Sequence, residues 1–290
     1  MKTVYTLLFS VLFGVSALAD NPLRHVCDSR TPTGQNSQLA SALAELSGPN
    51  FDSPAKRKSN KDAFYQAIKR ALLATASGPE LVACLENSND SKFAPGFEFN
   101  VKDEIGGLYA SFDAFTRNAE GKRIKRLELL ASENPMAAIS FVAHEMKHSC
   151  NAAAFAAAED EHVGDKVLDR IILVDEMRAY KLQATFFLEV ARQAPTQVCE
   201  TTPVASSLFP GRSFTLQNLM AEVDDGITNG TFYRNVIDSY VENHVFTGLD
   251  SFISFEVIES KTPGADATVN EHVVPDLISR FESAGFALRH

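Results

Sequence analysis

The segment from Met136 to Cys150 reads M-A-A-I-S-F-V-A-H-E-M-K-H-S-C, and no other stretch constrains the fold as tightly. Its first two turns are almost wholly apolar, so a helix here must begin buried. Asn134-Pro135 precedes it, an N-cap residue followed by proline at the first helical position, and the helix should run to about Asn151 or a little beyond. His144 and His148 then stand at i and i+4, one turn apart on one face. Two imidazoles so placed can aim at one point, which suits a tetrahedral zinc ion. Glu145 is rotated one step round the helix, where a carboxylate can act as general base on water without ligating the metal. A chain of 290 residues with 7 His would carry H-E-x-x-H by chance only about once in a hundred. The buried helical setting is a second, independent requirement.

The surrounding pattern predicts an α+β fold. Helices are expected at Ser37–Leu46, at Asp62–Ala76, and around Leu81–Leu85 after the Gly78-Pro79 break. Three strands should follow: Phe97–Val101, Leu108–Phe115 and Lys122–Leu130, the last with Ile124, Leu127 and Leu129 as its apolar positions. Asn118-Ala119-Glu120-Gly121 reads as a hairpin turn, and the block as an antiparallel meander. Ala156–Gly164 reads as a polar connection and Asp165–Gln193 as a long helix ending before Pro195. Beyond Cys199 the pattern is mainly helical, at Leu216–Val223, Phe232–Val245 and Val274–Ala284, with Phe252–Ile258 ambiguous. The expected architecture is a short antiparallel sheet packed on two metal-bearing helices, with a helical C-terminal extension forming the other wall of a cleft.

The termini and composition bound the setting. Lys2, an apolar run from Val4 to Val15 and Ala17-Leu18-Ala19 match a signal peptide with cleavage after residue 19. That predicts a secreted or periplasmic protein with a catalytic part at 20–200 and a helical part at 201–290, and no membrane span after cleavage. The net charge of −10 repels phosphate backbones, which argues against nucleic acid as a partner. Cys27, Cys84, Cys150 and Cys199 form no C-x-x-C pair, and an even count in an exported chain predicts two disulfides. Cys150 near the end of the first metal helix and Cys199 past the end of the second suggest the pairs Cys150–Cys199 and Cys27–Cys84. The acidic run Glu159–Glu161 reads as a solvated loop with His162 exposed beside it, and His25, His244, His272 and His290 have no partner at metal-ligand spacing.

H-E-M-K-H on a buried helix resembles the zincin metallopeptidases. Asn151 and Ala154 stand where metzincins need Gly and His, so that clan is excluded. The chain instead resembles a gluzincin over Lys122 to Gln193, and the resemblance implies a third ligand on the second helix. The matching segment, Asp175-Glu176-Met177-Arg178-Ala179-Tyr180, makes Glu176 that ligand. Its apolar companions Ile172, Leu173 and Ala179 imply a buried carboxylate that needs a cation. The resemblance also implies that the strand Ile124–Leu130 is the edge that aligns a peptide substrate. One departure concerns the orientation of His144: Tyr180 stands where many gluzincins carry an Asp, leaving Asp175 or Asp169 for that task. Tyr180 is then a candidate to stabilise the oxyanion of a tetrahedral intermediate. The resulting expectation is a zinc-dependent peptidase: metal on His144, His148 and Glu176, Glu145 as base, Tyr180 assisting. The competing expectations are a zincin-like binding module without catalysis and a structural protein with a coincidental motif.

Overall fold

A computed structural model describes residues 21–28, 36–87, 90–105, 109–114, 116–131, 135–160, 165–199, 204–205 and 213–229. The expected signal segment, the helices expected at 232–245 and 274–284 and the segment 252–258 lie outside them. The fold is α+β.

One turn of 3-10 helix at Pro22–Arg24 precedes α1 (Ser37–Leu46), α2 (Pro54–Ser59), α3 (Lys61–Leu73) and α4 (Gly78–Glu86). The Asn36 side-chain oxygen caps α1 by accepting the Leu39 N–H at 3.0 Å. Sequence periodicity does not reveal α2, whose Pro-Ala-Lys-Arg-Lys-Ser has no apolar stripe. It is fixed instead by the buried Arg57 guanidinium, which donates to the Phe51 and Ala131 carbonyls at 2.7 and 2.8 Å. The passage from α3 to α4 requires glycine at position 78, because a Cβ there would lie 1.8 Å from the Leu72 carbonyl oxygen.

Strands β1 (Glu98–Lys102), β2 (Ala110–Asp113) and β3 (Arg126–Leu130) form one sheet in the order β1-β3-β2. β2 and β3 pair antiparallel, and the expected turn is present. The Asn118 side-chain oxygen accepts the Glu120 and Lys122 N–H groups at 3.0 and 2.9 Å, and Gly121 has φ +77°. β1, however, pairs parallel to β3, so the sheet is mixed rather than an antiparallel meander. Parallel pairing sets Phe99 opposite Leu127 and Val101 opposite Leu129, matching apolar residues on the buried face. β3 is therefore central, not the edge that the resemblance implied, and β2 takes the edge beside the helix that carries His144 and His148. Ile124 falls out of phase with Leu127 and Leu129, and Arg123 and Lys125 are buried beside it instead. The Lys125 ammonium donates to the Cys84 and Asn87 carbonyls at 2.6 and 2.9 Å, closing the C-terminal end of α4.

The two long helices α5 (Pro135–Asp160) and α6 (Asp165–Gln193) form an antiparallel hairpin. α5 continues through Ala156–Asp160, where a connection was expected. Ala152 and Ala156, one turn apart, are buried against Phe93 and Ala114 and extend its apolar face. The described residues close with α7 (Pro195–Val198), the two-stranded β4 (Val204–Ala205) and β5 (Ser213–Phe214), and α8 (Leu216–Asn229), which packs on α6.

The disulfides are Cys27–Cys199 and Cys84–Cys150, not the expected pairs. The reason is the hairpin. Cys150 lies beside Asn151, which meets Asp175 about a third of the way along α6. Cys199 follows Gln193, which stands roughly 27 Å further along the α6 axis at 1.5 Å per residue. α4 instead brings Cys84 against α5. Two disulfides fit an oxidising compartment, and no described helix is long and apolar enough to cross a membrane.

Candidate metal centre

α5 and α6 bring His144, His148 and Glu176 to one point. The two imidazole Nε2 atoms lie 3.2 Å apart. One Glu176 oxygen lies 3.3 Å from His144 Nε2, the other 3.5 Å from His148 Nε2. Ligand atoms 2.0–2.2 Å from a tetrahedral zinc ion are separated by roughly 3.5 Å, so this spacing needs little adjustment to accept one. The group could hold a metal ion. Three carboxylates, Glu145, Asp175 and Glu176, surround the two rings, with Asp175 at 0% exposure and His144 at 6%.

The surrounding contacts orient the rings. His148 Nδ1–H donates to Asp175 Oδ2 at 2.5 Å, which leaves Nε2 facing Glu176. Asn151 Nδ2 donates to the other Asp175 oxygen. Asp175 thus serves His148, the second histidine, rather than His144; the side chain of Asp169 lies outside the described ones. Among the described residues, His144 Nδ1 has no hydrogen-bond partner, and the His144 ring is held by packing. Tyr180 stands edge-on to it with centroids 4.3 Å apart.

Burial works to lower the pKa of His148, but the charges of Glu176 and Asp175 and the Asp175 hydrogen bond outweigh it and raise the value to about 10. In the metal-free protein this ring therefore carries a proton. Burial pushes Glu145 up, against the opposing pull of the two histidines. Burial, then the charges of Glu176 and Glu145, push Tyr180 well above its ordinary value, so its hydroxyl stays protonated.

Glu145 lies close enough to His144, His148 and Glu176 to interact with their charges, and the Phe112 backbone N–H of β2 favours its ionised form. Strand register explains this. The Leu130 N–H donates to the Tyr109 carbonyl at 2.9 Å, so position 109 faces β3 and position 112, three residues on, faces outward. Beside it, Tyr109 stacks on Phe141, one turn before Glu145 on α5, with centroids 4.6 Å apart.

The structure therefore brings together all five residues singled out in the sequence: His144, Glu145, His148, Glu176 and Tyr180. Sequence reasoning missed the parts played by Asn151 and Phe112. Asn151 stands three residues after His148, on the same face of α5, a signal for a partner to whatever acid lies opposite. The Phe112 contribution is a backbone group and carries no signal in residue type. A comparison with protein-family models, curated proteins and solved structures finds no match.

Proposed function

We propose that this protein is a zinc-dependent hydrolase that cleaves peptide bonds outside the cytoplasm. The observation that carries the reading is the convergence of His144, His148 and Glu176 with a fourth group, Glu145, near enough to feel their charges but outside that group of three. Three donors with a separate carboxylate are what metal-assisted hydrolysis requires; a closed structural site would use a fourth ligand. When bound, zinc supplies Lewis acidity, lowering the pKa of water and polarising a carbonyl. Glu145, its pKa raised by burial, is suited to take a proton from water and pass it to a leaving amine. Tyr180, held protonated beside His144, is suited to donate to an oxyanion. Asp175 keeps the His148 proton on Nδ1. β2, at the edge of the sheet and next to Glu145, is suited to align an extended chain.

The test is hydrolysis of an unfolded protein by the zinc-loaded chain and by Glu145→Gln. The variant should retain zinc and lose activity by about 10²-fold or more. Zinc bound without hydrolysis by the parent would leave a binding module, and no zinc would remove the reading altogether.

A further inference from the structure

A second group of metal-ligand residues lies on the far side of α5, outside the site above. Glu80 and Cys84 stand at i and i+4 on α4, and Cys150 faces them from α5. One carboxylate oxygen of Glu80 and the two sulfurs all lie within 4.8 Å of one another. The plan repeats that of the first centre: two donors one turn apart on one helix and a third from a neighbour. Both cysteines are only partly buried and Glu80 is exposed, so the group is open to solvent. Its chemistry differs, since two sulfurs and one oxygen favour a soft, thiophilic cation. As a disulfide the sulfurs cannot serve, because the ligand is a thiolate.

We propose that reduction of Cys84–Cys150 creates a second metal site, in which both thiolates and the Glu80 carboxylate bind zinc or a similar divalent cation. The reductant is a dithiol: its two S–H groups become a disulfide while Cys84–Cys150 becomes two thiols. Metal entry then displaces the two thiol protons. Zinc–ligand distances of about 2.0–2.3 Å place donors roughly 3.5 Å apart, which the parted sulfurs can reach; the Glu80 carboxylate, now paired with the Lys147 ammonium at 3.7 Å, would turn from that partner to the ion. The ion would replace the covalent link between α4 and α5, so the oxidised chain joins these helices by a bond and the reduced chain by a cation. This inference does not rest on the hydrolase reading.

The test uses the full chain with cobalt(II) as the probe and a phosphine reductant, which supplies no thiolate of its own. Cobalt added to the reduced protein should produce a thiolate-to-cobalt charge-transfer band, absent from the oxidised protein, with the helical circular dichroism retained. Cys84→Ser should abolish the band, and Cys27→Ser should leave it. Glu80→Gln should weaken cobalt binding about tenfold or more. The proposal is overturned if the reduced chain unfolds, if no band appears, if the band survives Cys84→Ser, or if Glu80→Gln binds cobalt as tightly as the parent.

Discussion

Asp175→Asn changes one atom at the centre of the site, and its effect separates into two opposing parts. Asp175 is fully buried, accepts from His148 Nδ1 at 2.5 Å and from Asn151 Nδ2, and has no other role visible in the fold. An asparagine fits the same space. Its oxygen can still take the His148 proton, and its amide can donate to the Asn151 side-chain oxygen, which has no partner among the described residues. What is lost is charge. A metal ligand deprived of such a partner typically loses 10–100-fold in affinity, about 1.4–2.7 kcal/mol. Against this stands the proton. Asp175 helps to raise the pKa of His148 to about 10, so at neutral pH the parent must expel a proton from that ring before it binds metal. With no charge at position 175 the ring loses that proton more easily, and part of the deficit is recovered. Zinc affinity of the parent should therefore rise by nearly tenfold per pH unit between about pH 6.5 and 8.5, with one proton released on binding. The variant should show a shallower slope, so its deficit widens as pH increases. Competition with a chromophoric chelator across that range reads both slopes. Parallel lines, or equal affinities throughout, would refute the coupling of Asp175 to the metal through His148.

Without metal, the raised pKa means that the folded chain holds the His148 proton more tightly than the unfolded one. The resulting stabilisation is complete below about pH 6.5, is lost as pH climbs toward about 10, and should be absent from His148→Ala in denaturant titrations. Gly78→Ala should cost about 3 kcal/mol or more in unfolding free energy, because the new Cβ meets backbone at Leu72 rather than a movable side chain. Lys125→Met should cost about 1–3 kcal/mol by leaving the Cys84 and Asn87 carbonyls without their donor, with zinc affinity unchanged.

What could be read from the sequence was what local chemistry decides. His144 and His148 at i and i+4 after an apolar run determine the helix and the shared face of the two rings, while α6 supplies the Asp175 and Tyr180 contacts that hold them. Glu176 was picked out by its apolar companions Ile172, Leu173 and Ala179 in the sequence, and the structure sets it beside the two histidines. Long-range pairing was harder. β3 inserts between β1 and β2, and nothing within a strand of five residues announces the direction of its neighbour. The cysteine pairing depended on where along α6 each residue of α5 falls, and so on the true end of α5 at Asp160. Asp175 was placed against the wrong histidine for the same reason: one residue of helix rotation decides which ring it meets.

Asp175 and Glu176 are adjacent in the chain yet grip His148 at its two different nitrogens. This makes the site a gauge of helical phase. One residue inserted into α6 ahead of the pair would turn both carboxylates by about 100°, and neither would meet the ring. Seven residues would restore the angle to within about 20° but carry the pair about 10 Å along the axis, past the histidines. No insertion between Asp165 and Asp175 preserves both contacts unless α6 slides back by the same length. Indels within that arm should therefore be lethal to the site, whereas length changes beyond Gln193 leave its phase untouched.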